Sequence, residues 1–333
     1  MHNRFKLTPK VADHIRDWEK NNVPYEAATD TAESSGPAEN STALVEAAEP
    51  TVTEPVIDAE TPAAADTPAT DTPISAAAVA PVRDTPLHPV PSREAPCTLS
   101  IVTRTDVGRV RASNQDTVIN DAGLIGVADG MGGHNGGEVA SATARRDLVQ
   151  SLSGAKPSAV TLSDAILHAN LEIFEQATRD RSLDGMGTTL TVLWPAGEEM
   201  LIGHVGDSRA YLYRDGTLSR QTTDHSMVAE MVRSGILTEE QAAVHPMRNY
   251  ITRAVGTDVT VEPEILRVKR QAGDRWLVCS DGLHGLVPDS RMTEILAEPD
   301  ADRAADLLLQ EALENGGRDN ISLALFTEGE VIA

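Results

Sequence analysis

Apolar runs of strand length, each closed by Gly, Asn or Asp, predict strands at 99–103, 117–120, 123–128, 188–194, 200–205, 209–213, 260–268, 275–279 and 321–326. Longer stretches with apolar residues three and four apart predict helices at 136–152, 161–180, 225–234, 238–244, 290–297 and 301–314. Asp215-Gly216, between Tyr211-Leu212-Tyr213 and Thr217-Leu218, is a hairpin signal. Neighbouring strands outnumber strict β-α-β alternation. That favours an α+β layered fold over a doubly wound parallel sheet.

The pattern divides the chain. In residues 1–26, Thr8 is suited to cap a helix that begins at Pro9, and Leu7, Val11, Ile15 and Trp18 share one stripe. This predicts a short amphipathic helix over 7–20, marginal by itself and suited to docking. Residues 27–96 contain no Phe, Tyr or Trp and only two basic residues, Arg83 and Arg93. Ala, Pro, Thr and Glu dominate, and Asp-Thr-Pro recurs at 66–68, 71–73 and 84–86. So little apolar surface cannot offset chain entropy, and a disordered linker is expected. The globular pattern occupies 97–333.

Composition narrows the function classes. A formal charge of −23 over 333 residues argues against nucleic acid and anionic membrane surfaces as partners. No apolar run is long enough to span a bilayer, and the first residues lack a signal-peptide core. Two cysteines, Cys97 and Cys279, are too few for a disulfide framework, and the cytosol is the default compartment.

Four aspartates share a setting. Asp129 follows Leu124–Ala128, Asp207 follows Leu201–Val205, Asp281 follows Trp276–Cys279, and Asp319 precedes Ile321–Phe326. Each stands at a strand end beside Gly or Asn. Taken singly, each reads equally well as a turn residue. Converging strand ends would crowd the carboxylates, which repel unless a divalent cation lies between them. Oxygen donors without a His-x-x-x-His or Cys-x-x-Cys pattern imply Mg²⁺ or Mn²⁺ rather than Zn²⁺. Upstream, Arg111 precedes Asp116 by five residues, and its planar cation suits a phosphate monoester.

These pieces resemble, in order, the metal-dependent Ser/Thr protein phosphatases of the type 2C (PPM) family in their bacterial form. The matching segments are Val-Arg-x-x-Asn-Gln-Asp at 110–116, Ala-Asp-Gly-Met-Gly-Gly-His at 128–134 and Gly-Met-Gly-Thr-Thr at 185–189. Gly-Asp-Ser-Arg at 206–209, Asp-His-Ser at 224–226 and Ile-Thr-Arg-Ala-Val-Gly at 251–256 follow. Cys-Ser-Asp-Gly-Leu at 279–283 and Arg-Asp-Asn at 318–320 complete the series. The resemblance implies a four-layer β-sandwich of two mostly antiparallel sheets flanked by helices, with metals at one end. It implies that Asp129 bridges two Mn²⁺ or Mg²⁺ ions, with the Gly130 carbonyl on the second. Asp281 and Asp319 would complete the first site, and Asp207 with Asp281 would form a third. Asp116 would hold a metal-bound water, Arg111 the substrate phosphate, and a metal-bridging hydroxide would attack in line. The implied partners are phosphorylated proteins, with a cognate Ser/Thr kinase or scaffold.

Two departures from the eukaryotic pattern bear on chemistry. Met131 stands where many relatives have a histidine proposed as general acid, which leaves His134 or a metal-bound water for that role. Gln115 replaces a frequent Glu. Residues 226–250 match the family's flap, where Arg248 or Arg253 could contact substrate. Two rival readings remain. Gly206-Asp207-Ser208-Arg209-Ala210 approximates a hydrolase nucleophile elbow, which requires a helix after the serine. A catalytically inactive binding module on the same fold would be expected to have lost a metal aspartate, and none is missing.

Overall fold

The computed structural model describes residues 100–132 and 136–329. The expected helix over 7–20, the expected linker over 27–96, Cys97 and His134 lie outside the described residues.

Alternation of side chains places two sheets back to back. One sheet has the order β1 (Ser100–Asp106), β11 (Ile321–Thr327), β10 (Arg275–Cys279), β7 (Arg209–Arg214), β8 (Thr217–Arg220). The other runs β2 (Asp116–Asp121), β3 (Leu124–Met131), β5 (Leu190–Ala196), β6 (Glu199–Val205), β9 (Glu264–Lys269), with the short β4 (Gly187–Thr188) also paired to β3. All these pairings are antiparallel. Strand β10 shows why its sequence is apolar throughout. Trp276 and Val278 point between the sheets, onto Ile125, Val127 and Ile202, while Leu277 and Cys279 point to a helical layer.

Helices α1 (Gly136–Leu152) and α2 (Ala159–Arg179) supply one outer layer, packing Ala144, Leu148, Leu162 and Ile166 against Leu124, Leu190 and Val192. The other layer comprises α5 (Asp281–His284), α6 (Asp289–Leu296) and α7 (Ala301–Glu314), whose Leu283, Met292 and Leu308 cover Leu277 and Leu323. The side chain of Ser158 caps α2 and that of Asp300 caps α7. Between β8 and β9 lie two short helices, α3 (Met227–Arg233) and α4 (Glu239–Ala243).

Three expectations change in detail. Strand β9 starts at Glu264 rather than 260, directly after Pro263, which has no donor for the ladder. Asp129 does not end its strand: β3 continues through Met131, where Gly130 and Met131 pair with Thr188 and Gly187. Asp281 opens a single helical turn, α5, that the periodicity of the sequence did not suggest.

Candidate active site

Every candidate aspartate comes to one end of the sandwich. Asp116 opens β2 and lies directly across the ladder from Asp129 on β3. Asp207 sits in the β6–β7 connection, Asp281 follows β10, and Asp319 precedes β11, so three further strand ends deliver a carboxylate each. A cleft of about 210 Å³ at this end is lined by Arg111, Asp129, Gly130, Asp207, Asp281 and Asp319, among others. Gly130 is required by close approach. A Cβ there would lie 2.1 Å from the Gly137 carbonyl oxygen and 2.5 Å from that of Gln115.

The backbone around the cleft is pinned by hydroxyl and amide side chains. Thr188 Oγ1 donates to the Asp129 carbonyl (2.9 Å), and the Asp129 N–H donates to Thr189 Oγ1 (3.0 Å). Ser280 Oγ donates to Asp116 Oδ2 at 2.8 Å. Asn320 Oδ1 accepts from the Gln115 N–H, and its amide donates to the carbonyls of Val107 and Ser113, which fixes the segment carrying Arg111. Sequence reasoning assigned no role to Thr188, Thr189, Ser280 or Asn320, although each lies inside a quoted motif. His284 gave no signal at all. Its half-buried ring sits 3.0 Å from the Asp207 carbonyl and holds that peptide from the α5 side.

Electrostatics identify what the cleft is built for. Burial, followed by the neighbouring Asp116, Asp281, Asp207 and Asp319, holds Asp129 well above the usual carboxylate range. Asp281 is raised in the same way, by burial and then by Asp207, Asp319 and Asp116. Burial first pushes Asp116 to about 6 and Asp207 to about 7. Asp116 Oδ1 and Asp281 Oδ1 are buried without a hydrogen-bond partner. Orphaned carboxylate oxygens in an all-oxygen cluster fit hard divalent cations. Arg111, the positive group that lines this cleft, donates to Asp319 Oδ2 at 2.6 Å while its side chain stays half exposed.

Other candidates fall elsewhere. Ser208 is fully buried, bonded to Thr189 Oγ1 and followed by strand β7, so the hydrolase elbow is excluded. Arg253 turns away to the Glu262 carbonyl and His225, whereas Arg248 lines a second cleft next to the first. His204, His225 and Glu264 bring donor atoms within 4.8 Å of one another. Each ring nitrogen already lies 2.9–3.2 Å from Thr191, Thr223, Gly206 or Arg253, and the guanidinium disfavours a cation there. This cluster is a structural tie. His225 bonds Gly206 through its ring and its backbone N–H, while its carbonyl accepts from Thr252, joining the Asp207 loop to the base of the 226–250 segment.

A family model described as "Protein phosphatase 2C" matches residues 91–315. The serine/threonine protein phosphatase PstP of Mycobacterium tuberculosis is 42% identical over 230 residues, 68% of this chain and 44% of that protein. The chain thus spans less than half the length of that relative. The serine/threonine phosphatase stp of Listeria monocytogenes is 38% identical over 234 residues, covering 67% of this chain and 93% of its own. Among solved structures, the PstP catalytic domain in complex with two manganese ions superposes with a TM-score of 0.65 at 38% identity, over 70% of this chain and 99% of that one.

Proposed function

The chain belongs to the protein phosphatase 2C family, and on that premise we propose that it hydrolyses phosphoserine and phosphothreonine in proteins with the help of divalent cations. The observation that carries this reading is the convergence of five aspartates, two with orphaned buried oxygens, around an arginine-lined cleft. Asp129 would be shared by two cations, with the Gly130 carbonyl on the second and Asp281 and Asp319 on the first. Asp207 would hold a third ion together with Asp281. The relative solved with two manganese ions supports Mn²⁺ as a working cofactor, and Mg²⁺ suits the same oxygens. When bound, such cations supply Lewis-acid charge stabilisation and make water nucleophilic near neutral pH.

The chain's own groups do the rest. Arg111 presents a planar, permanently charged fork to the phosphoryl oxygens and offsets charge that grows in the transition state. Its resting partner is Asp319, one of the proposed ligands, so Arg111 would be free to turn to substrate when Asp319 serves as a ligand. Asp116, held by Ser280 through one oxygen, keeps the other for orienting water. The pinned Asp129 and Asp207 peptides keep these groups in place, so little reorganisation accompanies the reaction. An inactive binding module is not supported, because the complete carboxylate set is kept at the cost of crowding.

Mn²⁺-dependent release of p-nitrophenol from its phosphate ester tests the activity, with EDTA expected to abolish it. Arg111→Ala should raise KM more than it lowers kcat. Metal-independent turnover, or an unchanged KM in Arg111→Ala, would contradict the assignment.

A cognate kinase or scaffold, and a cytoplasmic place in signalling, extend the same proposal. No helix among the described residues is long and apolar enough to cross a membrane. Residues 7–20 are proposed as the docking element for that partner, on the strength of the Leu7, Val11, Ile15, Trp18 stripe. The linker expected from the composition of 27–96 would, at 70 residues, span roughly 45 Å by random-coil scaling and raise the local concentration of phosphosites on a docked partner. Removing residues 1–26 should leave p-nitrophenyl phosphate turnover unchanged and slow dephosphorylation of the physiological partner. Equal effects on the two substrates would remove the docking role.

A further inference from the structure

Beside the aspartate cleft lies a larger one of about 720 Å³, and the two share Asp207, Asn249, Asp281 and Asp319 as a common wall. Its opposite wall is formed by α3 and α4, and its floor by the turn that follows α5. At the base, Arg209 and Asp224 neutralise one another in a bidentate pair of 2.7–3.2 Å.

The rim is different. Four exposed arginines, Arg220, Arg233, Arg248 and Arg318, reach this cleft from separate segments of the chain. Arg220 stands 3.9 Å from Asp224, a carboxylate already taken by Arg209. Arg233, Arg248 and Arg318 form no ion pair among the described residues. Outside the proposed ligand set and Asp224, the acidic side chains that line the cleft are Glu239 and Asp289, and Asp289 accepts a hydrogen bond from Tyr211. The whole lining holds five arginines and six carboxylates. The excess of guanidinium groups belongs to the rim, where four arginines face two carboxylates once Asp207, Asp281 and Asp319 are counted with the cations and Arg209 with Asp224. Like charges gathered on one rim repel, and a bound anion removes that cost.

We propose that this second cleft is a subsite for an anionic side chain next to the phosphorylated residue, so that the preferred substrates are acidic phosphopeptides. The inference rests on the aspartate cleft being the phosphoryl-transfer centre. With the phosphate group in that cleft, residues following each other at about 3.3–3.6 Å per position would cross the shared wall into the arginine rim. A carboxylate and a second phosphate offer the same chemistry to arginine, because both accept its fork. The neighbouring charge would act mainly on binding, since it lies beside the reacting group and not on it.

The test uses the full chain with Mn²⁺ and three phosphothreonine peptides of equal length. One has neutral flanks, one has Asp and Glu flanks, and one carries a second phosphate as phosphoserine. The acidic or doubly phosphorylated peptide should exceed the neutral one in kcat/KM by about tenfold or more, through KM, and the ratio should shrink at high salt. Which of the two wins identifies the natural anion. Arg233→Glu should bring the ratio toward one, and Arg233→Lys should restore much of it. Equal kcat/KM for all three peptides, or a ratio untouched by Arg233→Glu, overturns the subsite while leaving the phosphatase reading in place. Failure to hydrolyse any peptide or p-nitrophenyl phosphate overturns both.

Discussion

Asp281→Asn should lower kcat by on the order of a thousandfold, a loss of about 4 kcal/mol in transition-state stabilisation, while raising the melting temperature of the metal-free protein. The two effects have one cause. Asparagine keeps the shape of the side chain and removes a buried charge that stands among Asp207, Asp319 and Asp116. Without a cation that charge is a liability, so its removal stabilises the empty fold. With cations the same charge is the ligand proposed for two sites, so its removal disables them. Asp129→Asn should behave alike, for burial and four neighbouring carboxylates crowd it in the same way. Calorimetric Mn²⁺ titration, scanning calorimetry in EDTA and steady-state rates check all parts of this expectation. Wild-type rates for Asp281→Asn, or a lower melting temperature in EDTA, would remove the basis for the cation assignment.

The second large effect is a pH dependence that Mn²⁺ should erase. Asp207 is raised to about 7, and Asp129 and Asp281 also lie well above the ordinary carboxylate value. A group raised in the folded state contributes stability that is present below its unfolded pKa and is lost as pH climbs through the folded value. For Asp116, at about 6, the loss is about 3 kcal/mol once the group is ionised. The buried histidines act in the opposite sense. Burial holds His204 at about 4 and His225 and His284 at about 3, so their contribution is complete above the ordinary histidine value and fades as pH falls. Between about pH 4 and 6.5 the two sets oppose each other. Above pH 6.5 these three histidines are neutral in both states and the raised aspartates titrate, joined in the same direction by His168, which its bond to Asp147 holds above the ordinary histidine value. The melting temperature in EDTA should therefore fall steadily from pH 6.5 to pH 8.5, and saturating Mn²⁺ should flatten that fall by giving the ionised carboxylates a counter-charge. A metal-free melting temperature that stays constant over this range would refute the account.

Much of this was legible in the sequence, for reasons that differ by element. Helices α1 and α7 were bounded correctly at 136–152 and 301–314, because their apolar residues keep a helical period over many turns. The aspartates were legible because each borders a buried strand whose apolar run has a definite end. Helix α5 was not, since four residues carry no period, and its existence depends on Leu283 packing beneath α6 and α7. Nor were the parts of His225 and His284 legible. A histidine in a connection, like His225, or at the end of one helical turn, like His284, carries no pattern of its own until its partners across the fold are known. Of the arginine rim only Arg248 stood out in the sequence, because its members are far apart along the chain and meet only where α3 and α5 face one cleft.

The hairpin of β2 and β3 has a consequence for how such an enzyme can change over generations. Its turn is two residues, Ala122 and Gly123, both with positive φ (54° and 78°), and from there the ladder counts outward to Asp116 opposite Asp129. At about 3.4 Å per residue, the carboxylate pair stands roughly 20 Å from the turn. Side chains alternate at every step, so one residue gained or lost inside either strand sends an aspartate to the wrong face. Connections that carry no such count, such as the 226–250 segment, can lengthen freely. Inherited length variation should thus accumulate where substrates are chosen and be purged where the phosphoryl group is cut, leaving specificity free to drift around a chemistry fixed by parity.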